Sequence, residues 1–489
     1  MASKGEVQMK KILKKYGELS KETKAALWFA MCNFLNKGIS MIVIPIYTRL
    51  LITAEYGTYT VFQSWLNILV VVATLEISRG HYKVGITKYE DDVQRYTTSV
   101  LGLSNVVTAA FIFAVVCLPD VAVAAFELPS YVILAMLGYL LVYPAWEFWA
   151  IQQRFTYKYR IMVVATLAVA VLSPVVGIVG ITCFGMQSDA AIFSKLIVQG
   201  GIALIIYVKI VCKNRSLCVP KYWKEVFRFN VALIPYLLST TILNQADRIM
   251  IGKMVGATEA AIYSVAYSVA MIMLLVNTAI SDAFVPWIYR NLKLKKYKAI
   301  EPTTNKMLVL VAGLNLLVVL LAPEVLAFFA PAEYVAALGV IPPVTASVYF
   351  MFIFQRYINV EVYYGDTLKI SATSIGVAIL NVLLNYYCIA RWGYYAAGYT
   401  TLFCYIVFCV AHYYNVKRIC LKNGMENQIF TSRTVVVLSV CFLLLIFMLM
   451  AAYPYSWIRY MLALVLAICA YWKRRDIMEL LRKKRKSNE

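Results

Sequence analysis

Residues 33–59 read NFLNKGISMIVIPIYTRLLITAEYGTY. The run is apolar enough to enter a bilayer, yet Asn33, Asn36, Lys37, Ser40, Tyr47 and Thr48 recur every three or four residues, a spacing that sets their side chains on one face of a helix. A lysine near the middle of a spanning helix costs about 2.5 to 3.5 kcal/mol on insertion scales, so it usually faces a bundle interior or a water-filled cavity. The plainer alternative is a lysine that snorkels to an interface. The polar neighbours continue along the whole helix, and that favours the cavity.

The rest of the chain is of the same kind. Its 489 residues are 62% hydrophobic and 15% charged, with a mean hydropathy of +0.71, which points to an all-α, polytopic integral membrane protein. A net charge of +22 raises nucleic acid as a partner, but that requires basic residues gathered on a polar surface with its own core. Here they sit in short gaps between apolar runs, so no nucleic acid is expected. The 11 cysteines are scattered without a CxxC, and His81 and His412 lie far apart beside charged loops. No metal site, catalytic centre or cofactor is expected from that distribution.

A span needs about 20 apolar residues. On that rule the chain holds about fourteen: 25–48, 59–78, 97–118, 129–150, 161–184, 190–210, 229–251, 262–288, 307–329, 335–358, 369–390, 394–416, 433–452 and 456–472. Pro45, Pro144, Pro174, Pro235, Pro286, Pro342 and Pro343 fall inside them and read as kinks rather than ends. Most of the 47 Lys and Arg lie in every second gap, counted from the tail that carries Lys4 to Lys24. By the positive-inside rule both termini are cytosolic and the span count is even. No cleavable signal peptide is expected, and no gap is long enough for a soluble catalytic domain.

The ends of the first and seventh spans superimpose. Arg49, Glu55, Tyr59 and Val61 match Lys253, Glu259, Tyr263 and Val265 at a constant offset of 204 (253 − 49). The offset carries Asn36 onto Thr240 and Ser40 onto Asn244, so the polar face of span one meets another in residues 235–250, PYLLSTTILNQADRIM. Six spans separate the copies, which makes the repeat parallel. In transporters built this way the substrate sits at the repeat interface near the bilayer midplane. The expected organisation is an N-terminal lobe over 1–215, a second lobe over 216–420, and two extra helices with a basic tail over 421–489.

At these residues a family resemblance becomes usable. NFLNKGISMIVIPIYTRLLITAEYGTYTVFQSW (33–65) resembles the opening of the Wzx-type polysaccharide flippases, in the multidrug/oligosaccharidyl-lipid/polysaccharide superfamily. NQADRIMIGKMVGATEAAIYSVAYSV (244–269) resembles their seventh-span signature. The resemblance implies two six-helix lobes around a cavity that alternates between membrane faces. It implies an undecaprenyl-pyrophosphate-linked oligosaccharide as cargo, a bacterial plasma membrane as location, membrane lipids as surroundings, and polysaccharide polymerase and export machinery as further partners.

A pyrophosphate headgroup crossing the bilayer needs fixed cations beside it. Lys37 and Arg248, on the two repeat-matched helices, are the first choices, followed by Arg49 and Lys195. Asn33, Asn36, Asn244, Tyr47 and Tyr236 continue the polar faces and are expected to meet the sugar. Among the interior acids, Glu76 lies close to Arg79 and reads as structural. Asp247, Asp282 and Glu147 are the ion-coupling candidates, and whether Na+ or H+ is coupled stays open. A drug or cation antiporter of the same superfamily is the alternative. A membrane glycosyltransferase would need a catalytic loop that the short gaps do not provide.

Overall fold

The computed structural model describes residue 18 and residues 20–424 and 432–472, without the side chains at 282, 283, 298, 432 and 470. Every regular element among them is helical, as lipid demands of an open chain, because a helix satisfies its backbone polar groups within one segment. In order these are α1 (Lys21–Leu50), α2 (Thr53–Ala73), α3 (Tyr82–Lys88), α4 (Val93–Cys117), α5 (Pro119–Phe126) and α6 (Ser130–Phe155). Next come α7 (Tyr159–Phe184), α8 (Gln187–Lys213), α9 (Pro220–Met254), α10 (Ala257–Lys293), α11 (Ile300–Leu320) and α12 (Ala322–Phe329). The chain continues through α13 (Ile341–Tyr363), α14 (Thr367–Trp392), α15 (Tyr395–Lys422), α16 (Ser432–Met448) and α17 (Ser456–Trp472).

Helix occupies each of the fourteen expected spans. Among the described residues eleven helices are long and apolar enough to cross a bilayer, or twelve if α13 and the 3-10 segment Ala332–Gly339, bent by 52°, form one span. The expected spans outside that set are α2 and α17. Five of the prolines, Pro45, Pro144, Pro174, Pro235 and Pro286, do lie inside helices. Two expectations change. Pro342 and Pro343 occupy the first turn of α13, where a missing N–H costs nothing, so they start a helix at the 52° bend that follows Ala332–Gly339. The expected span 307–329 breaks at Leu321, and Pro323 lies in the first turn of α12 for the same reason.

The chain divides into two compact units. Unit 1 runs to Leu51 and takes Trp65–Ile234; unit 2 takes Ile52–Ser64 and the described residues from Pro235 onward, including α16 and α17. The division falls at Ile234/Pro235, inside α9, rather than in the gap near 215. The first turns of α9 belong to unit 1 because polar contacts hold them there. Glu225 accepts hydrogen bonds from Lys88 Nζ (2.5 Å), Tyr89 OH (2.6 Å) and His81 Nε2 (3.1 Å). Asn230 accepts from the His81 backbone N–H (3.0 Å) and donates to the Leu75 carbonyl (3.0 Å). The bond to Glu225 raises the Lys88 ammonium above its usual pKa. His81, expected beside a charged loop, is buried at the centre of this cluster.

The repeat is visible in the turns. α1 ends at Leu50 and α9 at Met254; α2 starts at Thr53 and α10 at Ala257, all at the offset of 204. Within unit 2 the start of α2 lies so close to the start of α10 that a Cβ on Gly57 would sit 1.7 Å from the Ala257 carbonyl oxygen. Further along, α7 and α14 are each 26 residues long and are followed by Gly185 and Gly393, both in the left-handed region (φ 64° and 70°) that favours glycine.

Candidate functional site

In unit 2 the second half of α9 carries the polar face predicted around Asn244. Successive residues there take different directions. Asp247 is 2% exposed, whereas Arg248 is half-buried. The Asp247 carboxylate accepts from Tyr263 OH (2.5 Å) and Thr401 Oγ1 (2.8 Å) on one oxygen, and from Asn385 Nδ2 (2.6 Å) on the other. Asn385 Nδ2 also donates to Asn381 Oδ1 (3.3 Å), and the Thr400 hydroxyl donates to Asn385 Oδ1. Asn381 Nδ2 is buried without a partner. Four helices, α9, α10, α14 and α15, thus place a carboxylate, two amides and three hydroxyls in one buried cluster, and no cation forms an ion pair with Asp247 among the described residues. Such a donor set is rich in hard oxygen ligands.

Arg248 is positioned by neutral groups. Its Nη1 donates to the Asn244 carbonyl (2.9 Å) and to Gln245 Oε1 (3.3 Å), and its guanidinium carbon lies 4.3 Å from the centroid of the Tyr267 ring. Tyr267 OH in turn donates to Asn244 Oδ1 (3.3 Å). Neutral acceptors and an aromatic face orient the cation while no carboxylate pairs with it among the described residues. Tyr236, about two turns before Asn244 on this helix, is half-buried.

In unit 1, α1 packs on α7 and is the least buried of the eleven spanning helices. Asn33 and Lys37 are exposed and Asn36 is half-buried; Lys37 forms no ion pair among the described residues. Arg49 is exposed and donates to the Pro45 carbonyl one turn back (2.9 Å). Tyr47 is buried against α7, where a Cβ on Gly177 would lie 2.2 Å from its hydroxyl and 3.0 Å from Ser194 Oγ. It serves helix packing there. Lys195, next to Ser194 on α8, is half-buried.

The acids separate as follows. Glu76 is buried and bonded to Arg79 (2.8 Å), in keeping with a structural role. Glu147 is half-buried and accepts from Tyr143 OH (3.0 Å). The side chain of Asp282 lies outside the described residues.

Several intramembrane polar groups escape a reading of the sequence. Arg356, inside the expected span 335–358, is 1% exposed within α13, donates to Ser281 Oγ and lies 4.2 Å over the Phe352 ring. His412 and Glu361, both wholly buried, meet at 2.8 Å between α15 and α13; His412 had been placed beside a charged loop. The amides around Asp247 had a usable signal, since Asn381 and Asn385 stand one turn apart in an otherwise apolar run, as Asn33, Asn36 and Lys37 do on α1.

Residues 23–292 match the model of a family described as polysaccharide biosynthesis protein, and residues 233–387 match the MatE model. No match was found among curated protein sequences. Among solved structures, the lipid II flippase MurJ in an inward closed conformation aligns with a TM-score of 0.70 at 11% identity, over 92% of this chain and 100% of that one. An inward-facing multidrug resistance MATE family transporter of the MOP superfamily aligns with a TM-score of 0.59 at 12% identity, over 78% and 95%. An outward-facing MATE family transporter gives 0.54 at 13% identity, over 81% and 96%. At these identities the likeness is one of fold.

Proposed function

We propose, on the premise that this chain belongs to the polysaccharide biosynthesis protein family, that it is a flippase moving an undecaprenyl-pyrophosphate-linked oligosaccharide across a bacterial plasma membrane by alternating access. The observation that carries this is the pair of cations Lys37 and Arg248. Each stands on a repeat-matched spanning helix, and neither has a carboxylate partner among the described residues. An intramembrane cation left in that state is a site for an anion. Asn33, Asn36, Asn244 and Tyr236 would meet the sugar, and Arg49 and Lys195 would extend the anion path.

The Asp247 cluster is the coupling site in this reading. Its oxygens, with those of Asn381, Asn385, Thr400 and Thr401, suit a small monovalent cation or a proton, which when bound would offset the carboxylate charge in a medium where isolated charge is costly. The chain itself would perform no covalent step on the cargo, and polymerase and export machinery would act before and after it.

The direct test is translocation in vesicles. Purified protein should make a lipid-linked oligosaccharide on the inner leaflet accessible to an added glycosidase, with no product other than the intact lipid-linked sugar. Failure of every such cargo, with proton- or sodium-driven efflux of an organic cation instead, would favour the antiporter reading, for which the buried acid Asp247 is the supporting feature. Topology is tested separately: reporters fused after Glu127, Lys253 and Glu333 should report the outer side, and those after Lys88, Lys221 and Lys298 the cytosol.

A further inference from the structure

Unit 2 contains a groove of about 490 Å³ between α13, α15 and α16. Its floor includes Ile353 and Tyr357, both buried, while Val410 and Val440 on its rim are each 50% exposed. It therefore opens onto the surface that a membrane-spanning helix turns to lipid. Along α15 the lining runs from Ile406 to Lys417, which at 1.5 Å per residue is about 16 Å. That is the depth of one leaflet, half of a hydrocarbon core about 30 Å thick.

The groove is charged at one end only. Lys417 is the one charged residue among those lining it, and Tyr414 beside it is 62% exposed, as expected of a ring at headgroup level. Arg418 and Lys422 follow on α15, and Arg433 opens α16 at the same end; all three are exposed. Among the described residues no carboxylate lines the groove, so the charge its lining contributes at the mouth is positive.

We propose that this groove is a binding site for one anionic diacyl phospholipid of the leaflet on the Lys417 side, its acyl chain laid along Tyr357 and Ile353 and its phosphate beside Lys417. A groove one leaflet deep fits an acyl chain. A polyprenyl chain, several times longer, would overrun it, so the occupant is a resident lipid rather than the cargo's tail. Basic pockets between spanning helices recognise anionic headgroups through local charge, and the headgroup here would join α13, α15 and α16 at that face. The orientation read from the basic gaps makes this the cytosolic leaflet.

The test uses the full chain in vesicles free of cargo, so it stands apart from the flippase reading. The probe is phosphatidylglycerol carrying a photoactivatable group in the acyl chain, set against phosphatidylcholine with the same chain. Adducts mapped to α13, α15 and α16 should be at least fivefold more abundant for phosphatidylglycerol. Lys417→Gln, at an exposed position, should bring that labelling down to the phosphatidylcholine level, and Val440→Trp should block both lipids by filling the groove. Equal labelling by the two lipids, or indifference to Lys417→Gln, would reduce the groove to bulk lipid contact and overturn the proposal. Labelling by a photoactivatable undecaprenyl phosphate that excess phosphatidylglycerol does not displace would overturn it too, by assigning the groove to the cargo.

Discussion

The polar faces of α1 and α9 are alike in sequence and unlike in structure. Both place amides, hydroxyls and one interior cation at helical spacing, and both end in matching turns 204 residues apart. On α9 the face is tied into its own unit, with Asp247 bonded to Tyr263, Asn385 and Thr401, and Arg248 laid over Tyr267. On α1 the corresponding stretch stays open, with Asn33 and Lys37 exposed. The same pattern thus takes two forms: on α9 it is bonded internally around a carboxylate, and on α1 Asn33 and Lys37 stay exposed. Charge in a membrane helix signals function, but only the partners show which kind.

Substitutions on the two faces should therefore differ in what they damage. The largest loss of stability should come from Asp247→Ala, which strands three buried donors. At about 1 kcal/mol or more for each, the loss should reach about 3 kcal/mol, read as a lowered unfolding midpoint in detergent; an unchanged midpoint would mean the cluster is not formed. Gly57→Ala should cost about 1 to 3 kcal/mol, since overpacking forces the α2 and α10 backbones apart, and the same assay reads it. Thr401→Val removes one of the three donors with little change of shape and should cost only about 0.6 kcal/mol, the average for interhelical hydrogen bonds in bilayers. Lys37→Ala should leave stability within about 0.5 kcal/mol, as at an exposed position without special contacts. A Lys37→Ala loss as large as that of Asp247→Ala would erase the distinction between the faces.

How far the molecule could be read in advance follows from what each feature depends on. The helical runs and the α1/α2 turn are local, set by apolar residues and by residues 49–61; helix stands at each expected span, and among the described residues eleven or twelve helices are long and apolar enough to cross. The breaks at Leu321 and ahead of Pro342 were missed because the apolar runs continue through them, although Pro323, Pro342 and Pro343 marked helix starts. The Asp247 cluster joins residues 138 to 154 positions apart, and Glu361 meets His412 across 51 positions. Pairings at that separation leave no local periodicity; only the tertiary packing of α13, α14 and α15 creates them. Tyr47 shows the opposite failure. It lies on the polar stripe by spacing, yet the small Gly177 on α7 draws its ring into packing.

The central claim of the proposed function is that Lys37 and Arg248 each serve the anionic cargo, and surface polysaccharide in a flippase-deficient strain, normalised to the amount of inserted protein, tests it most directly. Losing a contact that leaves a partner charge buried should cost about 2 to 5 kcal/mol. Lys37→Ala and Arg248→Ala should therefore each nearly abolish export while the protein stays folded and inserted, Lys37→Arg should retain part of it, and the exposed Lys295→Ala should change little. Full complementation by both alanine variants would contradict the claim and remove these residues from the substrate path.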